Sequence, residues 1–177
     1  MCTNVRIFVA SYPRRWTPVY TPLIGTIWQH LQRINGLYSE CSSRLETGWN
    51  GRGRGRINVE QTNAHTLIFS EQGHWDGNTG MRLPFRNVYR WSLGDDQIAL
   101  SHLRFGADQP VFLVDLVAAK DHLYAVKPHP CGEDRYDAKL SVQDGALLLE
   151  WTVTGPAKSE YLRYTYRSLN RSIARER

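Results

Sequence analysis

The sequence predicts an all-β protein, a closed antiparallel up-and-down barrel of about eight to ten strands. Three observations predict it. From residue 65 onward, short β-rich runs recur, separated by clusters of Gly, Pro, Asn and Asp. Gly94, Asp95 and Asp96, and later Gln143, Asp144 and Gly145, are tight hairpin signals between neighbouring runs. No strand alternates with a helix-length segment there, which argues against a parallel sheet. Closing such a meander removes both exposed edges.

The elements follow in order. Residues 1–22 hold Tyr12, Pro13, Trp16, Pro18, Tyr20 and Pro22. Proline at that density excludes a regular element, so this stretch reads as an irregular arm that packs on the barrel or plugs it. In residues 23–34 the apolar positions Leu23, Ile24, Ile27, Trp28, Leu31 and Ile34 recur at threes and fours. That spacing favours a short amphipathic helix, with a first barrel strand as the alternative. Strands are then expected over residues 65–72, 87–93, 98–105, 111–118, 123–126, 136–142, 146–154 and 161–166. The barrel domain spans 23–167, and 168–177 is a basic tail.

A chain of 177 residues suits one domain with a sizeable core, and six Trp and nine Tyr supply large side chains for a core or a pocket. No apolar run approaches the roughly 18 residues that cross a membrane as a helix. The net charge is +5, with Arg52, Arg54 and Arg56 in one stretch and Arg163, Arg167, Arg171, Arg175 and Arg177 near the end. Such a surplus attracts phosphates and anionic surfaces without a dedicated site. The cysteines Cys2, Cys41 and Cys131 are odd in number and widely spaced, so an intracellular, reducing compartment fits. The cytoplasm is the first expectation. Arg6, Arg14, Arg15 and Arg33 all precede the first acidic residue, Glu40, so mitochondrial import is the alternative.

Three segments can carry chemistry. In residues 48–56, a strand would put Gly51, Gly53 and Gly55 on one face and Arg52, Arg54 and Arg56 on the other. The glycines permit a bend or the close approach of another element. The arginines form a cationic ladder able to contact an anion or, less readily, nucleic acid. Residues 129–136 bring together His129, Cys131, Asp134 and Tyr136. This segment reads as a loop over one barrel end, with Asp134 accepting backbone hydrogen bonds. No second ligand pair at zinc spacing accompanies it, so neither a metal nor a cofactor is expected. In the third segment Gly155 and Pro156 force a turn, and Lys158 can hold a carboxylate or a carbonyl. Arg163 and Arg167 then share a face with Tyr161 and Thr165. They are expected to point outward. An inward Arg163 would need an anionic ligand, or Glu71 or Asp115, as its partner.

His129, Cys131, Asp134 and Tyr136, followed by Trp151, Val153, Gly155, Pro156 and Lys158 and then Tyr166 and Arg167, resemble the signature of a family known only as a domain of unknown function. Gly25, Thr26, Trp28, Arg33, Ile34, Glu71, Gly73, Tyr89 and Trp91 agree in order, so the resemblance covers about residues 23–167. Ile27 departs from it by interrupting a Gly-Thr-Trp start. The resemblance implies a lipocalin-like (calycin) barrel and no particular activity.

Three functions are open on this reading. The first is a binding barrel for a small, partly apolar ligand, contacted by Trp91, His129, Cys131, Tyr136, Lys158 and Arg163. Asp134, Gly155 and Pro156 then hold the loop, and Arg52, Arg54 and Arg56 contact anions. The second is an accessory subunit that meets a protein partner through the N-terminal arm and basic tail. The third and weakest is an enzyme using His129, Cys131, Asp134 and Tyr136.

Overall fold

The computed structural model describes residues 21–45 and 49–169. The expected arm, up to residue 20, and the tail from residue 170 lie outside the described residues.

The ambiguous segment is a helix, α1 (Pro22–Leu31). The Thr21 hydroxyl accepts from the Ile24 N–H at 3.4 Å, and Pro22 opens the first turn, where its missing N–H costs nothing. Ile24, Ile27, Trp28 and Leu31 form its buried stripe.

Eleven strands follow: β1 (Gly36–Ser43), β2 (Gly51–Asn63), β3 (Thr66–Gly77), β4 (Arg82–Leu93), β5 (Gln97–His102), β6 (Val111–Ala118), β7 (His122–Ala125), β8 (His129–Cys131), β9 (Asp134–Gln143), β10 (Ala146–Gly155) and β11 (Lys158–Arg167). Each pairs antiparallel with its neighbour through β7, and β7 pairs with β9. β9 then pairs with β10, β10 with β11, and β11 with β1, which closes a barrel of ten strands. β8 is the extra strand, laid on β9 beyond the end of β7. At the expected hairpin tip, Asp144 and Gly145 both adopt positive φ, at 50° and 72°.

Three strands, β1, β2 and β8, fall outside the stretches where strands are expected from the sequence. β1 has weak strand propensity, with three serines among its eight residues, and is formed through its partners β2 and β11. Residues 129–136 are a hairpin, β8–β9, instead of an irregular loop.

Topology fixes which end each residue occupies. Only residues 32–35 separate α1 from β1, so the helix sits at the end where β1 begins. There it packs against β10 and β6. The turns at 94–96 and 144–145 share this end. The connections at 44–50, 78–81, 103–110, 132–133 and 156–157 lie at the opposite end. Inside the wall, Leu67, Phe69, Trp91, Ile98, Leu116, Leu123, Leu140 and Leu147 join the helix stripe in one apolar core.

Candidate functional site

The functional side chains gather at the end away from α1. Gly53 and Gly55 face inward on β2; a Cβ on Gly53 would press on Ser39 and Trp75, and one on Gly55 would press on Phe85. The bare backbone lets the Trp75 and Phe85 rings lie against the β2 wall. Opposite them, the two sequence motifs meet. Tyr136 pairs with Val153 across β9–β10, and Gly155 pairs with Lys158 across β10–β11. Lys158 Nζ lies 2.7 Å from Asp134 Oδ2 and donates to the Tyr136 hydroxyl at 3.1 Å. A Cβ on Gly155 would collide with the Asp134 carboxylate. One motif therefore supplies the anion and phenol, and the other supplies the cation and the space. The carboxylate and phenol raise the Lys158 pKa further above its ordinary value.

This corrects the expected role of Asp134. Its carboxylate is held by Lys158, and no backbone N–H donates to it among the described residues. The hairpin ladder explains why: β8–β9 pairing already uses the amides that a loop would have left free.

Beside this junction lies a cavity of about 260 Å³, lined by Tyr89, Trp91, Leu100, His102, Arg104, Leu113, His129, Cys131, Tyr136, Leu149, Trp151, Leu162, Tyr164 and Tyr166. A bulge in the β5–β6 ladder leaves Leu113 without a β5 partner and turns it toward this space. A second lobe of about 450 Å³ holds Ser39, Trp49, Trp75, Phe85, Asn87 and Lys158, and shares Tyr136, Leu162 and Tyr164 with the first. The sequence-predicted residues Trp91, His129, Cys131 and Tyr136 line the first lobe, and Tyr136 and Lys158 the second.

The wall contains a carboxyl that the sequence suggested only as an ion-pair partner. Glu71 is 0% exposed and accepts from the Tyr166 hydroxyl at 3.0 Å and from Asn87 Nδ2 at 3.4 Å. Burial pushes its pKa up to about 7, against the opposing pull of those two donors. At the rim, burial and the Arg104 charge both lower the pKa of His102 and of His129, while a hydrogen bond to the Leu113 backbone partly offsets this for His129. His102 stacks on Tyr89 at 4.8 Å, and His129 meets Tyr136 edge-on at 6.2 Å. Trp91 is 1% exposed, and among the described residues its Nε1 has no hydrogen-bond partner.

Over residues 28–168 the chain matches a family described as of unknown function, DUF6314. The chain belongs to DUF6314. The family resemblance therefore holds, and in this chain the two motifs form the two halves of the Asp134–Lys158–Tyr136 junction. No curated protein matches this DUF6314 chain. A solved structure of EF1p2_mFAP2b bound to DFHBI is similar at 10% identity over 81% of this chain and 98% of that one. The TM-score of that match is 0.43.

The remaining predicted residues of this DUF6314 barrel lie elsewhere. Arg163 points outward, as its strand face predicted, so its candidacy as a cavity contact is corrected. Its partner is Glu150, at 2.9 Å, and not Glu71 or Asp115. Glu71 is inside, and Asp115 accepts from Gln97 at 3.1 Å. Register explains the choice, since Arg163 stands directly opposite Glu150 on one side and Glu40 on the other. Arg52, Arg54 and Arg56 also face outward. Arg52 is 3.3 Å from Glu40, and Arg54 lies 5.8 Å from the Tyr38 ring centre. The catalytic alternative lacks an assembled pair: no hydrogen bond joins the Cys131 thiol to His129 among the described residues, and Asp134 is taken by Lys158.

Proposed function

We propose that this barrel binds a small, partly apolar molecule in the two-lobed space at its open end. One observation carries the reading. Six aromatic rings and four leucines surround a void in a barrel whose other end is closely filled. A close-packed interior does not leave such a space without cause. Ligand sites are typically concave and mostly apolar, with a few convergent polar groups. Here those groups are His102, Arg104, His129 and Cys131 in one lobe and Ser39, Asn87, Lys158 and Glu160 in the other. Asp134, Gly155 and Pro156 serve the site indirectly, by fixing Lys158 and Tyr136.

Leu162 borders both lobes, so Leu162→Trp fills the shared wall. Titration of small arenes against intrinsic tryptophan fluorescence tests the proposal. Saturable quenching in the native protein, lost in Leu162→Trp, supports it. Absence of saturable quenching across the panel, or quenching that survives the filled cavity, overturns it.

A further inference from the structure

We propose that the ligand of this cavity is an aromatic carboxylic acid, with its ring among the Trp and Tyr side chains and its carboxylate against Arg104 at the rim. The inference rests on the binding reading above and adds the charge and shape of what is bound.

No Asp or Glu lines the smaller lobe, and Arg104 is its sole Lys or Arg. Of the other cations near the open end, Arg44, Arg54, Lys127 and Arg135 have no carboxylate partner among the described residues but line neither lobe, and the rest are paired within the protein. Lys158 has Asp134, Arg163 has Glu150, Arg52 has Glu40, and Arg82 has Asp76. Arg104 has no carboxylate partner among the described residues, and its guanidinium lies 4.7 Å from the Phe105 ring centre. A fork of guanidinium N–H donors at the mouth of an apolar cavity matches a carboxylate in shape and charge.

His102 and His129 flank this cation on the same lining. With pKa values below the ordinary imidazole range, they are largely neutral at pH 7. The rim therefore carries about one net positive charge, which complements a monoanion better than a phosphate dianion. Tyr89, Trp91, Tyr136, Trp151, Tyr164 and Tyr166 supply flat faces, and about 260 Å³ is small for a ligand site. Rings on all sides of a small space favour a planar ring over a flexible chain.

The pH dependence follows from every titratable group facing the rim. His102 faces Tyr89 and Arg104. His129 faces Tyr136, Cys131 and Arg104. Glu71 lies near Tyr89 and Tyr164 in the wall. Lowering the pH protonates the imidazoles, which adds positive charge at the rim, and removes negative charge from Glu71. Both changes tighten binding of an anion. A bound carboxylate raises the imidazole pKa values in return.

Calorimetric titration with 1-naphthoate and its neutral isostere 1-naphthamide, at pH 5.5 and pH 8, tests this on the whole chain. The acid is expected to bind at least about tenfold more tightly than the amide, as a charge-assisted contact gives. The preference is expected to widen at the lower pH. Arg104→Gln should bring the acid-to-amide ratio to near one, and Arg104→Lys should restore part of it. If the amide binds as well as the acid, or the preference survives Arg104→Gln, the carboxylate inference is overturned while the cavity reading stands. If neither probe binds and no other arene does, both fail.

Discussion

The two ends of the barrel solve the same packing problem differently. At the closed end, α1 supplies Ile24, Ile27, Trp28 and Leu31 to an apolar core; Thr21 caps its first turn, and its buried Trp28 Nε1 is left without a hydrogen-bond partner among the described residues. At the open end, the inward positions hold His102, His129, Tyr136 and Lys158 among aromatic rings, and space remains; Glu71 is buried in the wall against Tyr166 and Asn87, which line the two lobes. The closed end gains stability from close packing, while the open end retains polar groups and a void that cost stability. That difference supports the proposal of a binding site at the open end.

The largest expected effect lies at the closed end. Trp28→Ala removes a ring that is 5% exposed and should cost about 3–5 kcal/mol in urea unfolding. A loss below about 1 kcal/mol would mean that the helix does not plug the barrel.

At the open end, Glu71→Gln should show the opposite sign. In the fold Glu71 titrates at about 7, against an ordinary 4.5. Between those values the folded chain keeps a proton that the unfolded chain has released. Stability is therefore highest below about pH 4.5, falls as pH rises through the window, and levels off above about 7. The amide cannot ionise, so the variant should gain up to about 3 kcal/mol over the native protein at pH 8 and nothing near pH 4. Urea melts at both values check this. An unchanged gap would show that Glu71 does not carry the pH dependence.

The motif junction comes next. Gly155→Ala drives a Cβ into the Asp134 carboxylate and should cost about 1–3 kcal/mol in thermal unfolding. Adding Asp134→Ala should recover part of that loss, since the two changes share one contact. The outer wall should respond least. Across β9 to β4, Lys139, Glu150, Arg163, Glu40, Arg52, Asp76 and Arg82 stand opposite one another with alternating sign. Each member has at least one neighbour of opposite charge, and Arg163 is 44% exposed although Glu150 is only 14% exposed, so Arg163→Ala should cost about 1 kcal/mol.

What could be read in the sequence follows the same division. The closed end was legible, because helical spacing at Ile24, Ile27, Trp28 and Leu31 and hairpin turns such as Asp144 and Gly145 are local signals. β1 was not, because Ser39 faces inward only through its register with Gly53 on β2. The cavity members Trp91, His129, Cys131 and Tyr136 were legible by residue type and clustering. Arg104 and His102 were missed, because their place beside His129 depends on a pairing between distant strands. The Asp134–Lys158 contact joins residues that the sequence offered as two separate motifs. Only the closure of β9, β10 and β11 brings them together.

Native mass spectrometry of freshly purified protein, alone and with an added arene, tests the central claim most directly. The account predicts one small molecule per chain, either carried through purification or taken up on titration, and its loss in Leu162→Trp. A spectrum showing the bare chain at every ligand concentration, or equal uptake by the filled variant, would contradict it.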